Sequence, residues 1–192
     1  MITVVSGIPR SGTSLMMQMI SAGGMPVLTD GQRSADANNP RGYYELESVK
    51  SLARNPEAIS AAEGKVVKII SSLLTHLPKQ HQYRVIFMRR PLDEVLASQD
   101  KMMGRLGKDI PPAATESVAT AFAQHLKQIG AWLSEQANIE VLYVDYVAVL
   151  EDAHREALKI RTFLDHELDV DAMVRKVEHS LHREKSPSSQ SS

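Results

Sequence analysis

The sequence predicts an α/β protein of three layers, with helices on both faces of a central parallel β-sheet. Short apolar runs alternate along the chain with longer segments whose apolar residues have helical spacing. The first apolar run, residues 2–6, passes through a glycine-bounded turn directly into a helical segment. The chain has 192 residues, 43% of them hydrophobic, which suits one domain with a sizeable core. Strands that alternate with helices pair in parallel through right-handed crossovers.

The predicted elements follow one another in a regular order. Strands are predicted at residues 2–6, 25–29, 65–70, 83–88 and 139–144. Helices are predicted at residues 13–22, 91–103, 113–136, 151–164 and 170–177, with short helices at 47–54 and 56–63. Gly23 and Gly24 end the first helix, whereas Pro91, Asp93 and Glu94 mark the start of the second long one. Residues 30–44 are rich in turn-forming residues and are predicted as a loop.

Composition limits the classes of function. We expect one domain, residues 1–183, and a serine-rich tail, residues 184–192, that is disordered. The formal net charge of −1 provides no overall basic field, so neither nucleic acid nor a membrane surface is expected as a partner. The absence of cysteine excludes disulfides, thiol catalysis and thiolate metal sites. No targeting segment is recognisable, which favours a cytoplasmic protein.

The turn after the first strand has the composition of a phosphate-binding loop. We call residues 7–12 the glycine loop; it is bounded by Gly7 and Gly12 and leads into a helix. Backbone N–H groups at such a turn, together with the positive end of the helix dipole, bind phosphate. The lysine that follows the second glycine in nucleotide triphosphatases is absent, and Thr13 stands there. Arg10 lies inside the loop instead, which argues against triphosphate hydrolysis.

A second anion-binding motif follows the strand at residues 83–88. That strand ends in Arg89 and Arg90, and Ser98 follows in the next helix. The forked donors of arginine match the oxygens of a phosphate, and a serine hydroxyl adds another donor. In a parallel sheet, ligands bind beyond the carboxyl ends of the strands. We therefore expect the glycine loop and these two arginines to lie along one edge of the sheet.

The two motifs together resemble those of the sulfotransferase family, most closely its bacterial members with a P-loop-like fold. The resemblance implies 3′-phosphoadenosine 5′-phosphosulfate (PAPS) as donor, 3′,5′-adenosine bisphosphate (PAP) as product, and no metal. It implies that the 5′-phosphosulfate is bound by the run Pro9, Arg10, Ser11, Gly12, Thr13 and Ser14. It implies that the 3′-phosphate is bound by Arg89, Arg90 and Ser98, and which arginine meets that phosphate stays open. The acceptor is expected to be a hydroxyl or amine of a small molecule or peptide.

Catalysis requires cations and a base. Arg10 is expected to contact the transferred group. Lys68 lies in an otherwise apolar strand, where a charge needs a partner, and the resemblance implies that it contacts the donor's bridging oxygen. Three residues remain alternatives for the general base that takes the acceptor's proton, namely Asp30, Glu45 and His76. Two other functions stay open, a nucleotide kinase or triphosphatase and a non-catalytic adenosine-phosphate-binding protein. The oligomeric state is not predicted by the sequence.

Overall fold

The chain folds around a four-stranded parallel sheet. The computed structural model describes residues 1–29, 44, 47–105, 107 and 112–177. The strands are β1 (Ile2–Ser6), β2 (Val66–Lys68), β3 (Tyr83–Arg89) and β4 (Ile139–Asp145). They are arranged in the order β2-β1-β3-β4, and every pair is parallel. The predicted α/β fold with a central parallel sheet is thereby confirmed.

Six α-helices and three 3₁₀ helices occur in the described ranges. The α-helices are α1 (Thr13–Ala22), α2 (Leu92–Arg105), α3 (Pro112–Ser134), α4 (Tyr146–Glu151), α5 (Ala153–Leu164) and α6 (Val170–Val174). The 3₁₀ helices span Glu47–Ser51, Pro56–Ala62 and Ser71–His76. The predicted bounds of α1 match the observed helix. Gly12 before it and Gly24 after it have φ angles of 100° and 104°, which are not helical.

The two faces of the sheet are covered by different helices. Alternate strand residues face opposite sides, so Val5 and Val4 enter separate apolar clusters. The cluster that contains Val5 is completed by residues of α1, α4, α5 and α6. The cluster that contains Val4 is completed by residues of α3 and of the 3₁₀ helices. The sheet is therefore the middle layer of three, as the sequence predicts.

The register brings the carboxyl ends of the strands to one edge. Val5 pairs with Lys68 of β2, and Ser6 pairs with Phe87 of β3. Arg89, at the end of β3, pairs with Asp145 of β4. Because the glycine loop follows Ser6, it emerges at the same edge as Lys68 and Arg89.

Several predicted bounds differ from the structure, and two of the differences have a clear physical cause. Residues 25–29 do not form a strand and make only one isolated bridge to the sheet, between Val27 and Val66. Pro26 supplies its carbonyl to the N–H of Val66 but has no N–H of its own to extend a ladder. The helix predicted at residues 151–164 begins at Ala153 as α5, because the Asp152 side chain caps it by accepting from the N–H of Arg155.

Candidate active site

The glycine loop has an unusual backbone. Gly7, Arg10 and Gly12 have φ angles of 151°, 69° and 100°, all in the region that L-residues rarely adopt. Glycine adopts such angles without a steric penalty, which explains its presence at both ends of the loop. Arg10 adopts its angle despite a Cβ, so the surrounding contacts must stabilise this conformation.

The loop is closed internally by Ser11. Its hydroxyl donates to the carbonyl oxygen of Ile8 at 2.7 Å, and its backbone N–H is bonded to the same oxygen at 3.3 Å. Ser11 is fully buried, and its hydroxyl stabilises the conformation of the loop through the bond to Ile8. The sequence predicted Ser11 as a phosphate ligand; in the structure its side chain shapes the loop that presents the N–H groups.

The N-terminus of α1 faces the loop without a side-chain cap. The N-cap position is Gly12, and no side chain caps the first turn among the described residues. The first N–H groups of a helix have no partner within the helix, and they carry the positive end of its dipole. Thr13 and Ser14 add hydroxyls in this same first turn. This end of α1 therefore has the donors and the partial charge that an anion requires.

Both glycines also lie where a side chain would collide. A Cβ on Gly7 would stand 2.4 Å from Ser11 Oγ and 2.9 Å from the backbone oxygen of Met88. A Cβ on Gly12 would stand 2.5 Å from the ring of Tyr146. The loop thus packs directly against the end of β3 and the start of α4. Glycine is required at both positions because a Cβ would collide with these neighbours and because both φ angles are positive.

Arg10 connects the loop to the second motif. Its Nε donates to Ser98 Oγ at 3.0 Å, and its carbonyl oxygen accepts from Arg90 at 3.3 Å. Ser98 lies on α2 and is 5% exposed. The structure therefore brings three sequence-predicted residues into one connected group, which we call the arginine cluster: Arg10, Arg90 and Ser98.

Arg90 contributes a buried guanidinium to this cluster. Its Nε donates to Glu94 Oε2 at 3.0 Å, and the two side chains are 5% and 2% exposed. Its guanidinium also lies over the ring of Tyr146, 4.6 Å from the centroid. A buried pair of this kind is held by its neighbours, because each charge would be costly without the other. Arg90 is thus fixed under the backbone of Arg10.

Arg89 has a different environment. It forms two parallel hydrogen bonds to the carboxylate of Asp145, at 3.0 and 3.1 Å, across the β3–β4 ladder. About half of each side chain is exposed. The guanidinium lies 5.3 Å from the centroid of the Tyr143 ring. Arg89 and Arg90 are neighbours in sequence, but only Arg89 has a largely solvent-accessible charge.

Lys68 reaches the glycine loop from the other side. It ends β2, is half-buried, and its Nζ lies 3.5 Å from Ser14 Oγ in the first turn of α1. Burial of a lysine charge in an apolar strand costs free energy unless a polar group contacts it, and Ser14 provides that contact here. The structure therefore brings together Lys68 and Ser14, two residues that the sequence assigned separately to the donor site.

Of the three alternatives for the general base, the structure describes only His76. Asp30 and Glu45 lie outside the described residues. His76 is exposed at the far end of the 3₁₀ helix that begins at Ser71. A contact that sequence reasoning missed joins the start of this helix to α3: Ser71 Oγ lies 2.8 Å from His125 Nε2. Because 54 residues separate the pair, no local pattern signals it.

A cavity of about 310 Å³ opens beside the loop, between α3 and the sheet. Its walls are mostly apolar, with the two arginines at the polar end: Ile8, Phe87, Met88, Arg89, Arg90, Leu126, Ile129, Gly130, Leu133 and Tyr143. Among the described residues, no three histidine or acidic side chains converge as metal ligands do. In the same ranges, no helix is both long and apolar enough to cross a bilayer.

Comparison with known proteins identifies the family. The model of the sulfotransferase domain matches residues 2–190, nearly the whole chain. The chain belongs to the sulfotransferase family. The family predicted from the two sequence motifs is thereby confirmed, and the chain is a member of a family of transferases.

Solved structures agree with this assignment at the level of the fold. The sulfotransferase domain from the curacin biosynthetic pathway superposes with a TM-score of 0.52 at 14% identity, covering 92% of this chain and 77% of that one. A sugar kinase from Janibacter sp. HTCC2649 gives a TM-score of only 0.39 at 13% identity, covering 92% and 98% of the two chains. A score this low supports no conclusion about this sulfotransferase. No curated protein matches the chain.

Proposed function

We propose that this sulfotransferase moves a sulfuryl group from PAPS to a hydroxyl or amine of its acceptor and releases PAP. The observation that carries the proposal is the glycine loop. It ends at the N-terminus of α1, where the described residues provide no side-chain cap, and it has no lysine after Gly12. Such a loop binds a phosphate through N–H groups. It lacks the lysine that triphosphate chemistry uses on the β- and γ-phosphates.

The 5′ end of the donor is assigned to the loop and the start of α1. The N–H groups there, with the hydroxyls of Thr13 and Ser14, would bind the 5′-phosphate. Pro9 is exposed at the tip of the loop, and Gly12 allows a close backbone approach. Lys68 Nζ lies 3.5 Å from Ser14 Oγ, and from this position it would stabilise the negative charge that develops on the leaving phosphate oxygen.

The 3′ end of the donor is assigned to the arginine cluster. Ser98 lies one helical turn after Glu94, the carboxylate that pairs with Arg90, so a phosphate at Ser98 would also lie close to the Arg90 side chain. Charge-assisted hydrogen bonds from arginine to phosphate are short and strong. Arg89 is the more exposed alternative and would bind the same phosphate only after it loosens its pair with Asp145. The two assignments are separated by comparing the Arg89→Ala and Arg90→Lys variants.

Transfer itself requires stabilisation of negative charge. In sulfuryl transfer, charge spreads over the transferred oxygens and the leaving phosphate. Fixed cations and N–H groups aimed at these atoms stabilise the transition state more than the ground state. Arg10 and Lys68 are the two cations that lie on the loop and at the neighbouring strand end, and we assign them to this task.

The first experiment is a binding test on the whole chain. Thermal-shift titrations with PAP and with ATP–magnesium are run in parallel, because a ligand that binds the folded state raises its stability by about 2.7 kcal/mol at a hundredfold excess over its Kd. We expect a shift with PAP and none with ATP–magnesium. A shift with ATP–magnesium alone would replace this proposal by a kinase or triphosphatase function.

The second experiment measures transfer from a donor with a radiolabelled sulfuryl group. We expect label to appear on one of a panel of phenols, alcohols and amines, and slowly on water. Tight binding of PAP without any transfer, including to water, would favour a non-catalytic adenosine-phosphate-binding protein.

A further inference from the structure

A serine–histidine pair lies beside the glycine loop and has no role in donor binding as described above. Ser71 begins the 3₁₀ helix that follows β2 and is 2% exposed. His125 lies in the middle of α3 and is partly exposed. Ser71 Oγ and His125 Nε2 are 2.8 Å apart, a short hydrogen bond between two elements of one sheet face.

Backbone hydrogen bonds fix this pair against the loop. The N–H of Ile69 donates to the carbonyl of Val5 at 3.0 Å, so the chain after β2 continues along β1. The N–H of Ser71 then donates to the carbonyl of Gly7 at 3.1 Å. Ser71 is therefore in direct contact with the first residue of the glycine loop. The Ser71 side chain therefore lies between the glycine loop and His125.

Lys68 and His125 flank the loop from two sides. Lys68, three positions before Ser71, contacts the first turn of α1. His125 belongs to α3, on the opposite face of the sheet. A donor bound at the loop would thus have a cation on the α1 side and an imidazole on the α3 side.

The pair has the geometry of an oriented base. In the described part of the chain the His125 ring makes no hydrogen bond besides the one from Nε2, so Nδ1 is available to another partner. For Nδ1 to accept a proton, Nε2 must carry the ring hydrogen and donate it to Ser71 Oγ. A fixed partner on one nitrogen sets the tautomer and the orientation of the ring, and imidazole is the side chain most often used as a general base.

We propose that His125 is the general base of the transfer and that Ser71 is the residue that positions it; this rests on the proposed function. The O–H bond of the acceptor breaks, and its proton moves to Nδ1 of His125. The acceptor oxygen forms a bond to sulfur as the bond from sulfur to the bridging oxygen breaks. The electron pair of that bond leaves with PAP, and the imidazolium returns its proton to water.

The test uses radiolabelled donor with water as the acceptor, so that no acceptor has to be known. His125→Gln keeps a hydrogen-bonding side chain next to Ser71 but cannot take up a proton. We expect its turnover to fall about 10²- to 10³-fold, as for the loss of a positioned base, with the Kd for PAP within twofold of the wild-type value. His154→Gln, an exposed histidine on α5, is the matched control and should behave as the wild type.

Chemical rescue separates a base from a structural residue. Added imidazole should restore part of the turnover of His125→Ala and should not change that of His154→Ala. Ser71→Ala should lower turnover about tenfold, as for a residue that only orients the base. Turnover of His125→Gln within twofold of the wild type, or a loss in His125→Ala that imidazole does not relieve, would overturn the assignment. Failure of the wild-type chain to bind PAP or to release label would instead overturn the proposed function.

Discussion

Arg10 and Ser98 are 88 residues apart in sequence, and in the structure Arg10 Nε donates to Ser98 Oγ over 3.0 Å. The two motifs that were predicted to bind opposite ends of the donor are therefore in contact before a donor arrives. A phosphate that approaches Ser98 meets Arg10 at once. The two ends of the proposed donor site should consequently respond together to a change at either residue.

Ser98→Ala tests this coupling. The variant removes a hydroxyl that holds Arg10 and that is assigned to the 3′-phosphate. We expect the Kd for PAP to rise roughly tenfold, which corresponds to the ~1.4 kcal/mol of one hydrogen bond to a charged group. Isothermal titration calorimetry measures the change. Ser134→Ala is the control, because that exposed hydroxyl only caps the end of α3; equal affinities of the two variants would contradict the coupling.

Gly12→Ala should disable the glycine loop. Its φ of 100° strains any L-residue, and the new Cβ would stand 2.5 Å from Tyr146. We expect a loss of stability beyond the ~1–3 kcal/mol of backbone strain alone and no measurable PAP binding. Urea denaturation and thermal-shift titration report the two effects.

Gly24→Ala is the matched control for the loop. Gly24 follows the other end of the same helix and has a φ of 104°, and a Cβ at this position would have nothing within 4 Å. The variant carries the same kind of strain without the collision and should bind PAP normally. Retained PAP binding in Gly12→Ala, or lost PAP binding in Gly24→Ala, would show that Gly12 has no specific role in PAP binding.

The two arginine–carboxylate pairs should differ strongly in their effect on stability. Glu94→Gln removes the carboxylate that neutralises the buried charge of Arg90, and we expect a loss of about 3–5 kcal/mol. Asp145→Asn breaks the half-exposed pair with Arg89 and should cost no more than about 1 kcal/mol. Chemical denaturation of both variants measures the difference. Equal losses would mean that Arg90 is not fixed by Glu94 in the way the burial indicates.

Stability should decline at alkaline pH through Tyr83. Burial raises the pKa of Tyr83 to about 12 from the usual 10, and its hydroxyl donates to the carbonyl of Pro78 at 2.9 Å. Between these two values the unfolded chain releases the phenolic proton more readily than the folded chain does, so the free energy of unfolding falls as pH rises. The decline amounts to at most about 2–3 kcal/mol. Tyr83→Phe should show a smaller decline between pH 10 and 12 in urea titrations; an unchanged slope would exclude Tyr83 as its source.

The sequence predicted those features that local signals encode. The glycine loop and α1 were predicted because Gly7, Gly12 and Gly24 occupy positive-φ positions that few other residues tolerate. The strands at the centre of the sheet were predicted because they are continuous apolar runs. The segment at residues 25–29 has similar composition, but it lies at the outer edge of β2, where one bridge is all that forms. An apolar pattern does not distinguish a strand from a segment that merely packs beside one.

The contacts that organise the candidate site are not encoded in local patterns. The sequence identified Arg90 as an anion ligand, but not its burial with Glu94 under the backbone of Arg10. It identified neither Ser71 nor His125, because each is unremarkable in its own element and they meet only when α3 packs on the sheet. Such pairings depend on the three-dimensional arrangement of elements, which sequence periodicity does not specify.

The hydrogen bond from Arg90 to the carbonyl of Arg10 has a consequence for folding during synthesis on the ribosome. The ribosome makes the loop first, yet the side chain that supports its left-handed residue is added 80 positions later. The loop has to wait for β3 and α2 before it acquires its final shape, and such long-range closure slows folding. A nascent chain that ends before residue 90 should therefore have no affinity for nucleotides, however complete its first strand and helix are.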